Sequence, residues 1–225
     1  MQDGPSIVRI ASLLGDPARA GVMSALMGGQ ALTATELAHV AGVTKQTISG
    51  HLSKLVDARL LAVEAQGRHR YFRLAAADVA ELLETLAGVA SRVGALPLQP
   101  GPRAPALRKA RVCYDHLAGE LAVQVWSGLQ ANGSLASGRA GLGLSEGGAA
   151  RFRALGVDLD AVARQRRVFC RPCLDWGERR DHLAGALGAA LLQCVYELRW
   201  ATRVKGSRVV AFSAVGEQNL RAAFA

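Results

Sequence analysis

The sequence lacks the features of a membrane or secreted protein. No apolar run reaches the ~18 uncharged residues of a membrane span, and residues 1–20 lack the basic and then apolar segments of a signal peptide. The four cysteines all lie in the second half of the chain, at positions 113, 170, 173 and 194. We therefore expect a cytoplasmic protein, in which a reducing environment disfavours structural disulfides and leaves thiols, metal ligands or redox switches.

The sequence also lacks the motifs of cofactor-dependent enzymes. Cys170 and Cys173 form a Cys-x-x-Cys pair, but no thioredoxin-like strand-helix-strand pattern surrounds them. We therefore expect a protein that is not an enzyme. A thiol-redox enzyme fused to another domain stays open as an alternative.

The chain of 225 residues has room for two domains. The segment PLQPGPRAP, residues 97–105, contains four prolines, which remove helix donors and hold the preceding residues in extended conformations. We predict a first domain at 1–95, a linker at 96–106 and a second domain at 107–225.

The net charge of +9 indicates a polyanionic partner, although the charge is unevenly distributed. Residues 1–95 contain 9 basic and 8 acidic side chains, against 18 and 10 in the remainder. Residues 44–73, however, set six basic side chains against Asp57 and Glu64: Lys45, Lys54, Arg59, Arg68, Arg70 and Arg73. This local excess is the first candidate for a nucleic acid-binding surface.

The pattern of residues 6–93 predicts a winged helix-turn-helix. Two helices precede a short third helix, opened by Thr35 and ended by Gly42, and Thr44 caps a fourth helix with one apolar and one basic face. Two short helices joined by a glycine turn are the helix-turn-helix pattern. The segments LLAVEA and RYFRLA then predict a hairpin, or wing, and residues 78–93 predict a last helix.

The run TELAHVAGVTKQTISGHLSKLVDARLLAVEAQGRHRYFRL resembles the core of the ArsR family of bacterial repressors, through its ELA helix, T-x-S-x-HL-x-x-L recognition helix and GR-x-x-YF-x-L wing. The resemblance implies a homodimer on a pseudo-palindromic operator in double-stranded DNA, with repression relieved by an effector. Arg59 stands where the family commonly has glycine, and we expect a modest change there. The family's two best-known metal sites are missing, because the third helix has no cysteine and the last has Asp78 without histidines.

The recognition helix is expected in the major groove, where each base pair presents a distinct pattern of donors and acceptors. The wing would contact phosphates or the minor groove. The predicted DNA contacts are Thr44, Lys45, Gln46, Thr47, Ser49, His51 and Lys54 on the helix, and Arg68, His69, Arg70 and Tyr71 on the wing.

The second domain contains an internal repeat. The motif DHLAG occurs at 115–119 and again at 181–185, and each copy continues as a helix, a hairpin and a closing helix. We predict a mainly α fold with small β hairpins, in which two helix-hairpin-helix repeats, about 112–156 and 178–224, pack around a pseudo-two-fold axis.

The repeat suggests an effector site. His116 and His182 are equivalent residues, each expected at the start of a helix, and Cys113 and Cys173 precede them. Equivalent residues can converge near a pseudo-two-fold axis, so we predict that these four residues line the effector site and are candidate ligands of a soft metal ion such as zinc. Cys170 would be an accessory thiol.

Other interpretations of the second domain remain open. An oxidant or electrophile could act on the thiols, and a small organic effector could bind an apolar pocket near Tyr114 or Trp176. No cofactor is certain from the sequence. An architectural DNA-binding protein without an effector is a further alternative, and no membrane partner is expected.

Overall fold

The computed structural model describes residues 6–67, 69–93, 102, 104–138 and 141–225. The chain divides into two compact units, the first ending at Leu83 and the second beginning at Glu84. Most of the predicted linker lies outside the described residues. Among the helices that are described, none combines the length and the apolar character needed to cross a membrane.

The first unit begins with two capped helices. The Ser6 side chain accepts a hydrogen bond from the Arg9 amide at the start of α1 (Ile7–Leu14). Asp16 accepts one from the Arg19 amide at the start of α2 (Pro17–Leu26), which has proline in its first turn. The buried apolar side chains of α2 are Val22, Met23 and Leu26.

The helix-turn-helix consists of α3 (Ala34–Ala41) and α4 (Lys45–Asp57). Thr33 caps α3, two positions before Thr35, the residue that the sequence pattern predicts to open this helix. The reason is a capping box, in which the Thr33 hydroxyl accepts from the Glu36 amide while the Glu36 carboxylate accepts from the Thr33 amide. Gly42 ends α3 in the left-handed conformation, at φ 65°.

A three-stranded antiparallel sheet, ordered β1-β3-β2, forms the wing from β1 (Leu32–Thr33), β2 (Leu61–Gln66) and β3 (His69–Leu74). Two of these strands follow the sequence prediction, whereas β1 is too short to show alternation. Arg59, just before β2, has φ 59°, a conformation that glycine adopts without steric cost. The helix α5 (Ala77–Arg92) follows the wing.

The second unit alternates hairpins with helices. After α6 (Pro105–Lys109), its elements are β4 (Arg111–Cys113), β5 (His116–Ala118), α7 (Glu120–Ala131), β6 (Leu135–Gly138), β7 (Gly141–Leu144), α8 (Glu146–Ala154), α9 (Leu159–Ala163), β8 (Arg171–Asp175), β9 (Arg180–Ala184), α10 (Gly185–Glu197), β10 (Ala201–Arg203), β11 (Val210–Phe212) and α11 (Ala214–Phe224). These strands form four antiparallel hairpins, β4–β5, β6–β7, β8–β9 and β10–β11.

The prediction that His116 and His182 begin helices is wrong, because both lie on strands, β5 and β9. The helices start later, where Gly119 and Gly185 adopt φ 96° and φ 84°. A Cβ atom on Gly119 would lie 2.5 Å from the Arg108 carbonyl oxygen. These glycines therefore allow the chain to leave a strand and enter a helix at once.

The core of the second unit is built on α7 and α10 with the closing helices α8 and α11. The rings of Phe152 and Phe224 lie 5.6 Å apart. Gly128 on α7 faces α11 so closely that a Cβ atom there would lie 1.7 Å from the Phe224 carbonyl oxygen. The largest fully buried apolar side chains of α7 and α10 are Leu121, Leu129 and Leu187.

Candidate functional site

The recognition helix α4 separates its apolar and polar residues cleanly. Ile48, Leu52 and Leu55 are buried. The predicted contacts Thr44, Lys45, Gln46, Thr47, Ser49 and Lys54 are all exposed. Thr44 is the N-cap and accepts a hydrogen bond from the Thr47 amide. The first turn of this helix thus presents amide, hydroxyl and ammonium groups to solvent.

His51 differs from the other predicted contacts on α4 because it is half-buried. Its Nδ1 atom lies 3.4 Å from the Arg19 guanidinium and 3.7 Å from the Asp16 carboxylate. These contacts hold the imidazole against α2, so His51 helps to position the recognition helix within the first unit.

The wing residues His69 and Arg70 are exposed, and Tyr71 is half-buried. The Arg70 guanidinium lies 5.7 Å from the centre of the Phe72 ring, which orients it on the strand. Arg68, the remaining predicted wing contact, lies outside the described residues.

The second unit brings together the four side chains predicted for the effector site. The ligand atoms of Cys113, His116, Cys173 and His182 all lie within 4.8 Å of one another. We call these four residues the Cys-His cluster. Both imidazoles are 1% exposed and Cys173 is 6% exposed, while Cys113 is half-buried. Such an arrangement of two sulfur and two nitrogen donors can hold a metal ion.

Two hairpins, β4–β5 and β8–β9, each supply one cysteine and one histidine to the cluster, as directly opposite residues. Cys113 pairs with His116 across β4 and β5, and Cys173 pairs with His182 across β8 and β9. Directly opposite residues on one face of a hairpin hold their Cβ atoms about 5 Å apart. Cys113 is much closer to His116 in sequence than Cys173 is to His182. Strand pairing nevertheless brings both pairs into the same cross-strand arrangement.

The two imidazoles meet through their Nε2 atoms, which are 3.2 Å apart. Zinc–nitrogen bonds of about 2.0–2.1 Å place two nitrogens of a tetrahedral site about 3.3 Å apart. The His116 Nδ1 atom lies 3.2 Å from the Asp115 carboxylate, and the His182 Nδ1 atom lies 3.9 Å from Asp175. A carboxylate hydrogen-bonded to a ligating imidazole fixes the ring orientation and raises its basicity. Asp115 is close enough to do this for His116, whereas 3.9 Å is too long for a hydrogen bond from His182 to Asp175.

The cluster shifts the pKa values of its own groups. The hydrogen bond with Cys173 holds the pKa of the Cys113 thiol well below its usual value despite burial, and the same contact, with burial, raises the pKa of Cys173. Burial opposes a charge on His116, but hydrogen bonds with Asp115 and Cys113 raise its pKa to about 10. Cys113 is therefore biased towards the thiolate, the form that binds soft metals.

The carboxylate of Asp175 anchors one side of the cluster. Its side chain is completely buried and accepts two hydrogen bonds of 2.8 Å from the Arg111 guanidinium. It also accepts from the amides of Gly119, Gly177 and Glu178. Burial by itself would raise the pKa of Asp175, but the Arg111 guanidinium outweighs this effect and holds the pKa below its usual value.

A second buried carboxylate, Glu84 of α5, lies on the other side of the cluster. One of its oxygens is 3.7 Å from the Cys113 sulfur and 3.7 Å from His116 Nε2. The other oxygen accepts a hydrogen bond from the Arg171 guanidinium. Burial, with the Cys113 sulfur as the next cause, raises the pKa of Glu84.

The structure does not bring the other predicted effector residues into the cluster. Cys170 is 1% exposed and packs in the apolar core, where burial raises the pKa of its thiol to about 11. Trp176 lies with its ring 5.4 Å from the Arg111 guanidinium. Tyr114 is half-buried in the turn between β4 and β5, with φ 57°. Cys194 belongs to the core.

Sequence reasoning missed Glu84, Asp175 and the two arginines that bind them. One signal for the arginines was present, because Arg-x-Cys occurs as RVC at 111–113 and as RPC at 171–173. The residue two positions before each ligand cysteine therefore has the same identity. The sequence around Glu84 has no comparable signal.

The exposed polar face of α4, the turn at Gly42 and the wing define a winged helix-turn-helix DNA-binding protein. A family model described as a helix-turn-helix domain matches residues 14–64. The HTH-type transcriptional regulator YdfF of Bacillus subtilis (strain 168) is 40% identical over 213 residues, which cover 95% of this chain and 94% of YdfF. The chain belongs to the family of HTH-type transcriptional regulators, and its first unit carries the ArsR motifs quoted above.

Two solved structures of DNA-binding proteins resemble part of the chain. The homodimeric winged helix-turn-helix DNA-binding domain of Mb0332 from Mycobacterium bovis is 23% identical and covers 40% of this chain and 92% of its own, with a TM-score of 0.36. The transcriptional repressor BigR from Xylella fastidiosa is 19% identical and covers 37% of this chain and 84% of its own, with a TM-score of 0.34.

Proposed function

We propose that this transcriptional regulator is a dimeric repressor that leaves its operator when an effector binds in the second unit. The proposal for DNA recognition rests on α4, whose exposed first turn carries Lys45, Gln46, Thr47 and Ser49. Amide and hydroxyl groups suit base edges in the major groove, and ammonium groups suit bases or phosphates. Lys54 and the wing residue Arg70 would contact the phosphate backbone.

Mobility-shift titration on a selected operator tests this assignment. Lys54→Ala and Arg70→Ala are expected to weaken binding to all sequences and to reduce the salt slope by about 0.9 per lost phosphate contact. Gln46→Ala and Ser49→Ala are expected instead to relax specificity at particular base pairs. Lys205→Ala, which removes an exposed lysine from the second unit, is the control. Unchanged binding by all four variants would refute the assignment.

The dimer is proposed from exposed apolar side chains on α1 and α5. On α1, Ile7 and Val8 are 81% and 68% exposed. On α5, Leu82, Leu86 and Val89 are exposed, and Val93, which follows the helix directly, is exposed as well. A two-fold dimer would bury such faces and present two recognition helices about 34–36 Å apart. A monomer at micromolar concentration in sedimentation, bound to a single half-site, would contradict this.

Residues 107–225, the predicted second domain, are proposed to be a duplication within the second unit. Two runs of hairpin, helix, hairpin and helix support the duplication: β4 to α8 and β8 to α11, the second run following α9. The equal cross-strand pairing of Cys113 with His116 and of Cys173 with His182 supports it further. A duplicated unit places one ligand pair from each copy in the Cys-His cluster.

The effector is proposed to be a soft metal ion held by the Cys-His cluster. The observation that carries this proposal is the convergence of all four ligand atoms within 4.8 Å. A set of two thiolate and two imidazole donors suits zinc, copper(I) or a thiophilic metalloid. Binding of all four ligands to one ion also leaves no open coordination position, which suits sensing rather than catalysis.

Operator release by candidate effectors tests the site. The parent protein is titrated with zinc, copper(I), an oxidant and an electrophile, beside Cys113→Ser, Cys173→Ser and His116→Ala. The cluster variants are expected to lose both metal stoichiometry, measured by elemental analysis, and the response. Cys170→Ala, outside the cluster, is expected to keep both. A response retained by every variant would make these residues structural and favour a small organic effector. Operator binding that no effector changes would favour an architectural protein.

A further inference from the structure

Two arginines in equivalent positions each hold a buried carboxylate beside the Cys-His cluster. Arg111 and Arg171 stand two residues before their ligand cysteines, opposite Ala118 and Ala184 in their hairpins. Arg111 binds Asp175, which is part of hairpin β8–β9. Arg171 binds Glu84, which comes from helix α5. The two sides of the cluster therefore differ in where the carboxylate originates.

Asp175 is fixed independently of the cluster. Besides the Arg111 guanidinium, it accepts hydrogen bonds from three backbone amides, those of Gly119, Gly177 and Glu178. Its distance of 3.9 Å to His182 is a minor contact beside these bonds. A change at the cluster would therefore leave Asp175 in place.

Glu84, unlike Asp175, makes a large share of its contacts with residues of the Cys-His cluster. Its carboxylate, 4% exposed, meets the Arg171 guanidinium on one side and Cys113 and His116 on the other, at 3.7 Å each. A cation bound to this sulfur and this imidazole attracts the carboxylate, an attraction that is missing when the cluster holds no ion. Low dielectric around these buried groups strengthens this attraction. The energy of Glu84 in this position thus depends on what the cluster holds.

A ligand shifts a conformational equilibrium only through an interaction that differs between the two states. We propose that Glu84 is the positioning residue through which a soft metal ion in the Cys-His cluster acts on helix α5. This proposal rests on the metal-responsive function proposed above. The helix α5 begins at Ala77, before the boundary between the units, and Glu84 is the first residue of the second unit. The carboxylate therefore belongs to a helix that is continuous with the DNA-binding unit.

The test compares the full-length protein with Glu84→Gln, which keeps the shape of the side chain and one acceptor oxygen but removes its charge. Operator Kd is measured at fixed ionic strength with and without Zn²⁺, and Zn²⁺ affinity is measured by chelator competition. The parent is expected to change its operator Kd at least tenfold with Zn²⁺, within the usual range for coupled sites. In Glu84→Gln that ratio is expected to fall below about threefold, while Zn²⁺ stoichiometry is kept.

Two further variants separate coupling from packing. Glu81→Gln makes the same charge change one turn earlier on α5 and is expected to keep the parent's ratio. Glu84→Asp, which keeps the charge, is expected to retain more of the ratio than Glu84→Gln. Equal loss in Glu84→Asp and Glu84→Gln would reduce Glu84 to a packing role and overturn the proposal.

The outcomes distinguish this proposal from the function on which it rests. A parent protein whose operator Kd does not respond to Zn²⁺ overturns the metal-responsive function, and the role of Glu84 with it. A parent that responds and a Glu84→Gln variant that responds equally overturn the role of Glu84 alone. Loss of Zn²⁺ binding in Glu84→Gln would make Glu84 a ligand and would also overturn the proposal.

Discussion

The two units place their candidate functional residues in opposite environments. On α4 the predicted DNA contacts are neighbours in sequence and mostly exposed, whereas the Cys-His cluster draws buried residues from two hairpins far apart in the chain. A surface of the first kind requires one well-capped helix, but a site of the second kind exists only when the whole unit packs. Substitutions should therefore have local effects in the first unit and global effects in the second.

The largest effect is expected from Arg111→Met in the second unit. Methionine preserves the apolar stem but leaves the Asp175 carboxylate buried without its charged partner, and breaking a buried pair in this way costs about 3–5 kcal/mol. Urea unfolding followed by tryptophan fluorescence measures this unit selectively, because all three tryptophans lie in it. Arg108→Met, at an exposed position, is the control. If Arg111→Met lost no more unfolding free energy than Arg108→Met, the contrast drawn between the two units would be contradicted.

A smaller loss is expected from Gly128→Ala. The new Cβ atom would lie 1.7 Å from the Phe224 carbonyl oxygen, so α7 and α11 must move apart at a cost of about 1–3 kcal/mol. The same fluorescence measurement applies. Gln130→Ala, on the exposed face of α7, should be close to neutral. If Gly128→Ala matched it, the close approach of the two helices would be wrong.

In the first unit, Thr33→Ala is expected to cost about 1 kcal/mol, because it removes the capping box of α3. Thermal unfolding of this unit can be followed by amide hydrogen exchange of α3. Thr35→Ala makes the same chemical change inside the helix, where alanine is favoured, and should not destabilise. Equal losses in the two variants would argue against the cap at Thr33.

The smallest effect, and the only gain, is expected from Gly50→Ala on α4. No atom lies within 4 Å of the added Cβ, so the helix should gain about 0.5–1 kcal/mol from the better helix former. Hydrogen exchange of α4 measures the change. Destabilisation by Gly50→Ala would show that this face of the helix is more constrained than its exposure indicates, and would weaken the contrast with Gly128→Ala.

The first unit could be predicted from its sequence because its signals are local. Gly42 ends one helix and Thr44 caps the next within a few residues, and both act through bonds to nearby backbone. The error at Thr35 has the same origin, since two threonines compete for one cap and only Thr33 reaches the Glu36 amide. Arg59 shows the limit of this reasoning, because its left-handed backbone is visible only in the folded chain.

The second unit was predictable in its residues and not in its geometry. The repeated DHLAG motif led to four residues whose ligand atoms the structure brings within 4.8 Å of one another, but a helix was expected where strands of three and five residues form. The Cys-x-x-Cys spacing suggested that Cys170 and Cys173 act together. Only Cys173 of this pair lies on β8, which begins at Arg171, and the structure places Cys170 in the core just before the strand. Glu84 could not be predicted, because its contact with Arg171 depends on tertiary packing alone.

The Cys-His cluster joins two hairpins that lie far apart in the sequence, and an ion bound there would lower the entropy of the unfolded chain. An ion bound by Cys113 and Cys173 would close a long loop in the unfolded ensemble, and a covalent cross-link of that span removes about 4 kcal/mol of chain entropy. The bound ion would then act as a reversible cross-link. By mass action, the melting temperature of the second unit would rise with free metal concentration, so the supply of metal would set the stability of this unit.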